Sequence, residues 1–542
     1  MDDILKYPTF NILKNYIVND PICDWFELNN QTYEKDKITH YVTFIKREAS
    51  IYKNKILRKI KELSQINVPL NPTFNQTKEL IYNNSQLILQ GVLLNKNNIY
   101  VSCDIIITYG LFKKLFPKIS NIPLHLYCKT DTDYLLIDLC YNTFHFKIDL
   151  KEIQNESYIF YRKCHIYAFY EVFYELTDNK AIPLLMGKEY YYKNTLLPKK
   201  EFIAKVTVDE KIKRIYKNSI KWITYLKKNH NLLHILPKPN SYELYPNMNY
   251  TNTEWENEKM KLATTIKEIT LVWNISYEER CNCLEKGIEC WDDPLLLKEL
   301  KESKKKSIQE RMIHMNQQND VLIYPRKNIS QSLKNSLQKT NADIYFDIES
   351  FLSFDEKQNL FTNVVKQEEP VIGIIGFIHN ETFYDITIND FTKKDEERMI
   401  KQFSSYLSKI SARKIVNIYH WGNAENNYFK YIHKEYPTIY FPKYNLINVL
   451  DHFRMEPIIV QGVFKFGLKS IGKALYNHNL IKTTWDENDS GLDVMIQFKE
   501  LCKTKNKNIP LKRCLKIKEI INYNQVDCRV LYEIVELLRE KY

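Results

Sequence analysis

Two carboxylates stand two residues apart in the run Asp343-Ile344-Tyr345-Phe346-Asp347-Ile348-Glu349-Ser350. Side chains alternate along a strand, so Ile344, Phe346 and Ile348 face one way, toward a core, while Tyr345, Asp347 and Glu349 face the other. Neighbouring acids on an otherwise apolar strand repel each other and gain nothing from burial. A hard divalent cation, which binds carboxylate oxygens, offsets that cost. The plainer alternative is an edge strand whose acids face water. A second signal lies near the C-terminus in Tyr523-Asn524-Gln525-Val526-Asp527. On a helix Tyr523 and Asp527, four residues apart, share one face, beside an apolar stripe of Leu531, Ile534 and Leu538. An ordinary boundary aspartate is the alternative there.

These side chains need elements to hold them. From residue 341 onward the pattern is α/β. Strand candidates are 343–349, 371–378, 382–388 and 414–421, the first three spaced closely enough for an antiparallel meander. Thr392 and Asp395 have capping-box spacing at the start of a helix over 393–411. Residues 515–541 close the chain as a long helix, or two. Upstream, residues 1–200 carry β-rich runs at 99–107 and 134–141, bracketed by helical patterns at 51–63 and 161–176. Residues 201–340 read as mainly helical. Their Lys304-Lys305-Lys306 run suits a solvated face better than a phosphate patch.

Taken together, Phe346-Asp347-Ile348-Glu349 and Tyr523-x-x-x-Asp527 resemble the tyrosine-containing branch of the DEDD 3′–5′ exonucleases. Tyr419-His420-Trp421-Gly422-x-x-Glu425 and Phe466-Gly467-Leu468-Lys469-Ser470-Ile471 make residues 341–542 similar to the YprB-type ribonuclease H-like family. The resemblance implies a mixed sheet flanked by helices and a nuclease that hydrolyses phosphodiester bonds of DNA or RNA. It further implies 3′–5′ exonuclease action through two ions, Mg²⁺ or Mn²⁺. By the same resemblance Asp347 bridges both ions, and Glu349 and Asp527 hold the ion on the nucleophile side. Tyr523 orients the attacking water, and Glu425 stands where most DEDD enzymes carry aspartate. Trp421 is a base-stacking candidate, with a packed strand-end residue as the alternative. Lys465, Lys469 and Lys473 recur at four-residue spacing and form one face of a candidate helix, for a phosphate backbone or for solvent. Asp451 is a further acid with no assigned role.

Residues 1–200 resemble a RecB-type PD-(D/E)XK nuclease domain, through Asn19-Asp20-Pro21, Val101-Ser102-Cys103-Asp104 and Ile137-Asp138-Leu139-Cys140. Asp104 and Asp138 match its acidic positions. Cys140 stands at the lysine position, Lys53 at an upstream acidic position and Cys164 at the helix glutamine. A thiol cannot replace an ammonium at a scissile phosphate, so this α/β domain is expected not to cut. Residues 201–340 form the expected helical connector, with Gly287-Ile288-Glu289-Cys290-Trp291 matching the family's. Cys281, Cys283 and Cys290 have no usual zinc spacing.

Bulk properties agree with this reading without demanding it. Lys and Arg total 78 against 66 acids in 542 residues, a net charge of +12 that a nucleic-acid partner can exploit. The 11 cysteines are odd in number and scattered, as suits a reducing compartment. Met1-Asp2-Asp3-Ile4 lacks a basic n-region, and the longest apolar runs are too short for a bilayer. A soluble, intracellular, cytoplasmic protein is expected, with helicases or other replication and repair proteins as partners at the level of the family. Two rivals stand beside the nuclease: a catalytically silent nucleic-acid-binding or scaffold protein, and a purely structural interaction protein.

Overall fold

A computed structural model describes residues 8–300, 302–318, 321–351, 360–361, 371–486, 491–504, 511 and 514–542. The N-terminal Met1-Asp2-Asp3-Ile4 lies outside them. The chain forms two compact units: residues 1–38, 42–266 and 354–368, and residues 39–41, 267–353 and 369–542.

The first unit is built on a six-stranded sheet. Strands β1 (Leu87–Leu94), β2 (Tyr100–Thr108) and β3 (Tyr134–His145) pair antiparallel in sequence. Strand β4 (Ile182–Tyr192) pairs parallel with β3. A parallel pair needs a crossover, and helix α2 (Ser157–Thr177) provides it. Helix α1 (His40–Ser64) precedes the sheet, and helix α3 (Glu210–Asn229) follows it. Short strands β5 (Thr195–Leu196) and β6 (Ala204–Lys205) add to β4. Apolar residues cover both faces: Leu136 packs with α2 and α3, while Leu135 and Ile137 pack with Ile56 and Ile60 of α1. That two-sided burial explains why β2 and β3 read as apolar runs rather than alternating ones.

In the second unit, strands β7 (Asp343–Phe351), β8 (Val371–His379) and β9 (Thr382–Thr387) form the expected antiparallel meander. Strands β10 (Val416–His420) and β11 (Tyr444–Asn448) extend it in parallel, giving the order β9-β8-β7-β10-β11. β7 is therefore the central strand. Ile344, Phe346 and Ile348 pack with Met399, Ile400, Phe403 and Leu407 of helix α4 (Lys393–Ser411). Tyr345, on the opposite face, packs with the helix that ends the chain. Helix α5 (Ala424–Glu435) follows β10, and helices α6 (Leu468–Asn477) and α7 (Gly491–Thr504) precede α8 (Leu515–Lys541), one unbroken final helix.

At α4 the capping differs from the expected box. Thr392 Oγ1 accepts the Asp395 amide hydrogen at 3.2 Å, but the Asp395 carboxylate bonds the Asp390 amide at 2.9 Å and Arg398 instead. The local acid thus secures the incoming turn and not the Thr392 amide. Among the described residues no helix is long and apolar enough to cross a membrane.

Two polar anchors and one missing side chain set α8 against the sheet. Arg539, near its C-terminus, donates to Asp343 Oδ2 and the Tyr345 hydroxyl, each at 2.6 Å. Asn524, toward its N-terminus, donates to Asp347 Oδ2 at 2.6 Å. Asp347 pairs in register with Gly376 of β8, and a Cβ built on Gly376 would stand 1.6 Å from Asn524 Oδ1. No shift of a few tenths of an ångström relieves such a clash. Gly376→Ala is expected to destabilise the chain by about 1–3 kcal/mol, the range for overpacking a tight interior, read from a lower denaturation midpoint. An unchanged midpoint would mean that α8 is not pressed against β8 at this point.

Candidate metal centre

Asp347 and Glu349 reach the α8 side of the sheet because they alternate with core residues on β7. Asp527 meets them from α8, one turn beyond Tyr523. Ligand oxygens of Asp347, Glu349 and Asp527 all lie within 4.8 Å of one another. On one magnesium-sized ion, adjacent ligand oxygens stand about 2.9 Å apart and opposite ones about 4.2 Å, so the three carboxylates would close in on a cation that they share. Among the described residues no other group of three His, Cys, Asp or Glu side chains converges in this way.

The electrostatics are those of a site that lacks positive charge. Burial pushes the Asp347 carboxyl well above the usual carboxylate range, and Glu349, Asp527 and Glu425 push it further. Glu349 is also raised, by burial and then by Asp527; a hydrogen bond from Asn524 and the charge of Lys469 oppose the rise without cancelling it. A divalent cation would supply what the pocket lacks, and the donor set of carboxylate oxygens fits a hard ion.

Three neighbours escaped the reading of the sequence. Trp485 Nε1 donates to Asp527 Oδ1 at 2.6 Å, and a Cβ built on Gly472 would stand 2.8 Å from the indole. Asn524 holds Asp347 as described. Tyr428, one turn after Glu425 on α5, hydrogen-bonds Ser350; burial raises its phenol, and the nearby Glu349, Glu425 and Asp347 add to the rise. Asn524 could have been found from its place on the buried stripe of α8, three residues before Asp527. Trp485 lies outside any periodic pattern and gave no signal.

Glu425 stands outside the converging triad yet within its field. It is buried at the first turn of α5, and His420 Nδ1, itself fully buried, lies 3.4 Å from its Oε2. The turn between them depends on Gly422, whose φ of +106° few other residues adopt. The Gly422 amide donates to Asn448 Oδ1, and Asn448 donates to Asp451 Oδ2, both at 2.8 Å. Asp451 therefore helps shape this turn and is not one of the three converging acids. Lys469 lies over the Tyr523 ring, its Nζ 4.8 Å from the centroid, and 5.7 Å from that of Trp485.

The single helix face expected for Lys465, Lys469 and Lys473 is corrected. Lys465 is exposed, but it precedes α6, which begins at Leu468 behind extended Gly467, so it shares no helix face with Lys469 and Lys473. Trp421 is half-buried with its ring 5.1 Å from Phe453 and its Nε1 donating to the Phe466 carbonyl at 3.2 Å.

In the first unit, Asp104 and Asp138 are each supplied with a partner. Asp104 is ion-paired with Lys53 and accepts the Leu139 amide hydrogen at 2.9 Å. Asp138 Oδ2 meets His165 Nδ1 at 2.5 Å. Burial alone would raise Asp138, but His165, Arg162 and Lys53 outweigh it and hold the carboxyl below its ordinary value. Cys140 is buried and its thiol pushed up to about 12 by that burial. Cys164 is buried too. An ammonium is thus present after all, reaching Asp104 from α1 rather than from the Cys140 position.

Residues 344–539 match the model of the RNase H superfamily. No curated protein matches the chain. The RNase H-like match and the acidic triad together imply a metal-dependent nuclease, with nucleic acid as its substrate.

Carboxyls raised by burial hold protons in the folded chain that the unfolded chain has lost. This contribution to stability therefore falls as pH climbs from the ordinary carboxylate range through the raised values. A bound cation relieves the cost and competes with those protons. Mn²⁺ is accordingly expected to raise the melting temperature more at about pH 8 than at about pH 5.5, and Asp347→Asn should shrink the difference. Equal shifts at both pH values, in a calorimetric scan, would contradict the assignment.

Proposed function

We propose that the RNase H-like region is a 3′–5′ exonuclease of the YprB-like DEDD type, hydrolysing DNA or RNA with two divalent ions, Mg²⁺ or Mn²⁺. The observation that carries this reading is the meeting of Asp347, Glu349 and Asp527 from a strand and a helix far apart in sequence. In this reading Asp347, Glu349, Asp527 and Glu425 would hold the ions, Glu349 and Asp527 toward the attacking water and Glu425 toward the leaving group. The ions would neutralise charge at the scissile phosphate and lower the cost of generating hydroxide. Tyr523 positions the attacking water by hydrogen bonding and need not ionise. Trp485 fixes the rotamer of Asp527, and Asn524 that of Asp347, so both carboxylates are oriented before substrate arrives. Lys469, beside Tyr523, places a positive charge where the phosphate would sit.

The first unit is read as a PD-(D/E)XK-like domain that does not cut. What supports this is the company the acids keep: His165, Arg162 and Lys53 hold the Asp138 carboxyl below its ordinary value, and Lys53 pairs with Asp104, whose carboxyl burial still raises. The tripartite division at about residues 200 and 340 belongs to the same proposal, as do helicase or repair partners.

Asp347→Ala and Asp527→Ala should each abolish laddering of end-labelled DNA or RNA in Mg²⁺ or Mn²⁺. Losing several kcal/mol of transition-state stabilisation corresponds to about a thousandfold or more in rate. Tyr523→Phe should lose about a hundredfold, while Asp104→Ala should leave the ladder unchanged. Circular dichroism would establish that the variants fold. Binding with no cleavage by the unaltered protein would favour a silent nucleic-acid-binding protein, and a ladder that survives Asp347→Ala would overturn the assignment.

A further inference from the structure

We infer that the exposed face of α3, in the first unit, is a binding surface for the phosphodiester backbone of nucleic acid, separate from the carboxylate site. The helix carries seven basic residues and one acid, a net of +6, which is half of the chain's surplus of +12. Lys211, Arg214, Lys217, Lys221 and Lys228 all lie on its exposed face. Their spacing of three, four or seven residues places them in one stripe, about 26 Å long at 1.5 Å per residue. Tyr225, 49% exposed, falls within the stripe.

A merely solvated helix usually alternates its charges, because like charges three or four residues apart oppose helix formation. Here the alternation is absent. The acid of the helix, Glu210, pairs with Lys213 at 2.7 Å. The nearest acids on α2 are engaged as well: Glu171 accepts from the Tyr167 hydroxyl at 2.8 Å, and Glu175 pairs with Lys96 at 2.6 Å. Arg214, Lys217, Lys221 and Lys228 have no acidic partner among the described residues. An unbalanced row of cations is favourable once it faces a row of phosphates, where bound counterions are released.

Two observations choose nucleic acid over other polyanions. A basic amphipathic helix binds a membrane by inserting its apolar face, but Ile212, Tyr216, Trp222 and Leu226 are spent in the core. Beside α3, Tyr170 and Tyr174 of α2 stack at 6.3 Å and 17°, with Tyr174 exposed, and Lys213 is close enough for its charge to act on Tyr170. Aromatic surfaces next to a cationic track suit unstacked bases.

The test replaces Arg214, Lys217, Lys221 and Lys228 together by Gln, which keeps helix propensity, in the full chain. Binding of a labelled single-stranded oligonucleotide is followed by anisotropy across a salt series, with Ca²⁺ to hold cleavage in check. Losing four phosphate contacts should make the slope of log K against log salt shallower by about 3 and weaken binding at least about tenfold. An unchanged slope overturns the proposal. So does charge-matched poly-glutamate that displaces the oligonucleotide as well as unlabelled oligonucleotide does, since that marks an acidic-protein surface. Hydrolysis of a small chromogenic phosphodiester, thymidine 5′-monophosphate p-nitrophenyl ester, reads the Asp347 site alone. The variant should retain that activity, so failure of the stripe and failure of the nuclease reading are told apart.

Discussion

Mutual repulsion among partly buried carboxylates is the constraint on which the second unit turns. Asp347, Glu349 and Asp527 would separate if their backbones were free to move. They are not, because the apolar stripe of α8 is buried against Tyr345, Ile378 and Tyr419, with Arg539 and Asn524 fixing the helix at two points along β7. Hydrophobic burial over a 27-residue helix is large compared with the repulsion of a few charges. The fold can therefore hold an arrangement that is locally unfavourable, and local strain of this kind gathers where a ligand will relieve it.

The first unit meets a similar problem in the opposite way. Asp104 and Asp138 are also buried on adjacent strands, but Lys53 and His165 reach them from α1 and α2. The chain's own side chains thus sit against these acids, although burial still raises the Asp104 carboxyl. The difference between the two acidic clusters is thus one of charge balance more than of acid count. It is also why Asp138 is held below the usual carboxylate range while Asp347 is driven above it.

Alternation on β7 and helical spacing on α8 are short-range patterns, and they were legible in the residues. So was the meander, since close strands without an intervening helix have few other ways to pair. Side-chain partners distant in sequence were not legible. Trp485 reaches Asp527 from a stretch without periodicity, and Lys53 reaches Asp104 across an intervening hairpin strand. Gly376 could have been noticed as a glycine inside an apolar strand, a mark of close backbone approach, but which helix makes that approach is a tertiary fact. Lys465 misled because four-residue spacing continues across Gly467, where the backbone does not remain helical.

The central claim, that Asp347, Glu349 and Asp527 jointly cage a divalent cation, is tested most directly by crystals grown with Mn²⁺ and measured near its absorption edge. The account requires an anomalous peak within coordination distance, about 2.0–2.4 Å, of carboxylate oxygens from all three residues. Manganese bound elsewhere with this pocket empty, or an Asp527 carboxylate turned away from the β7 acids, would contradict it.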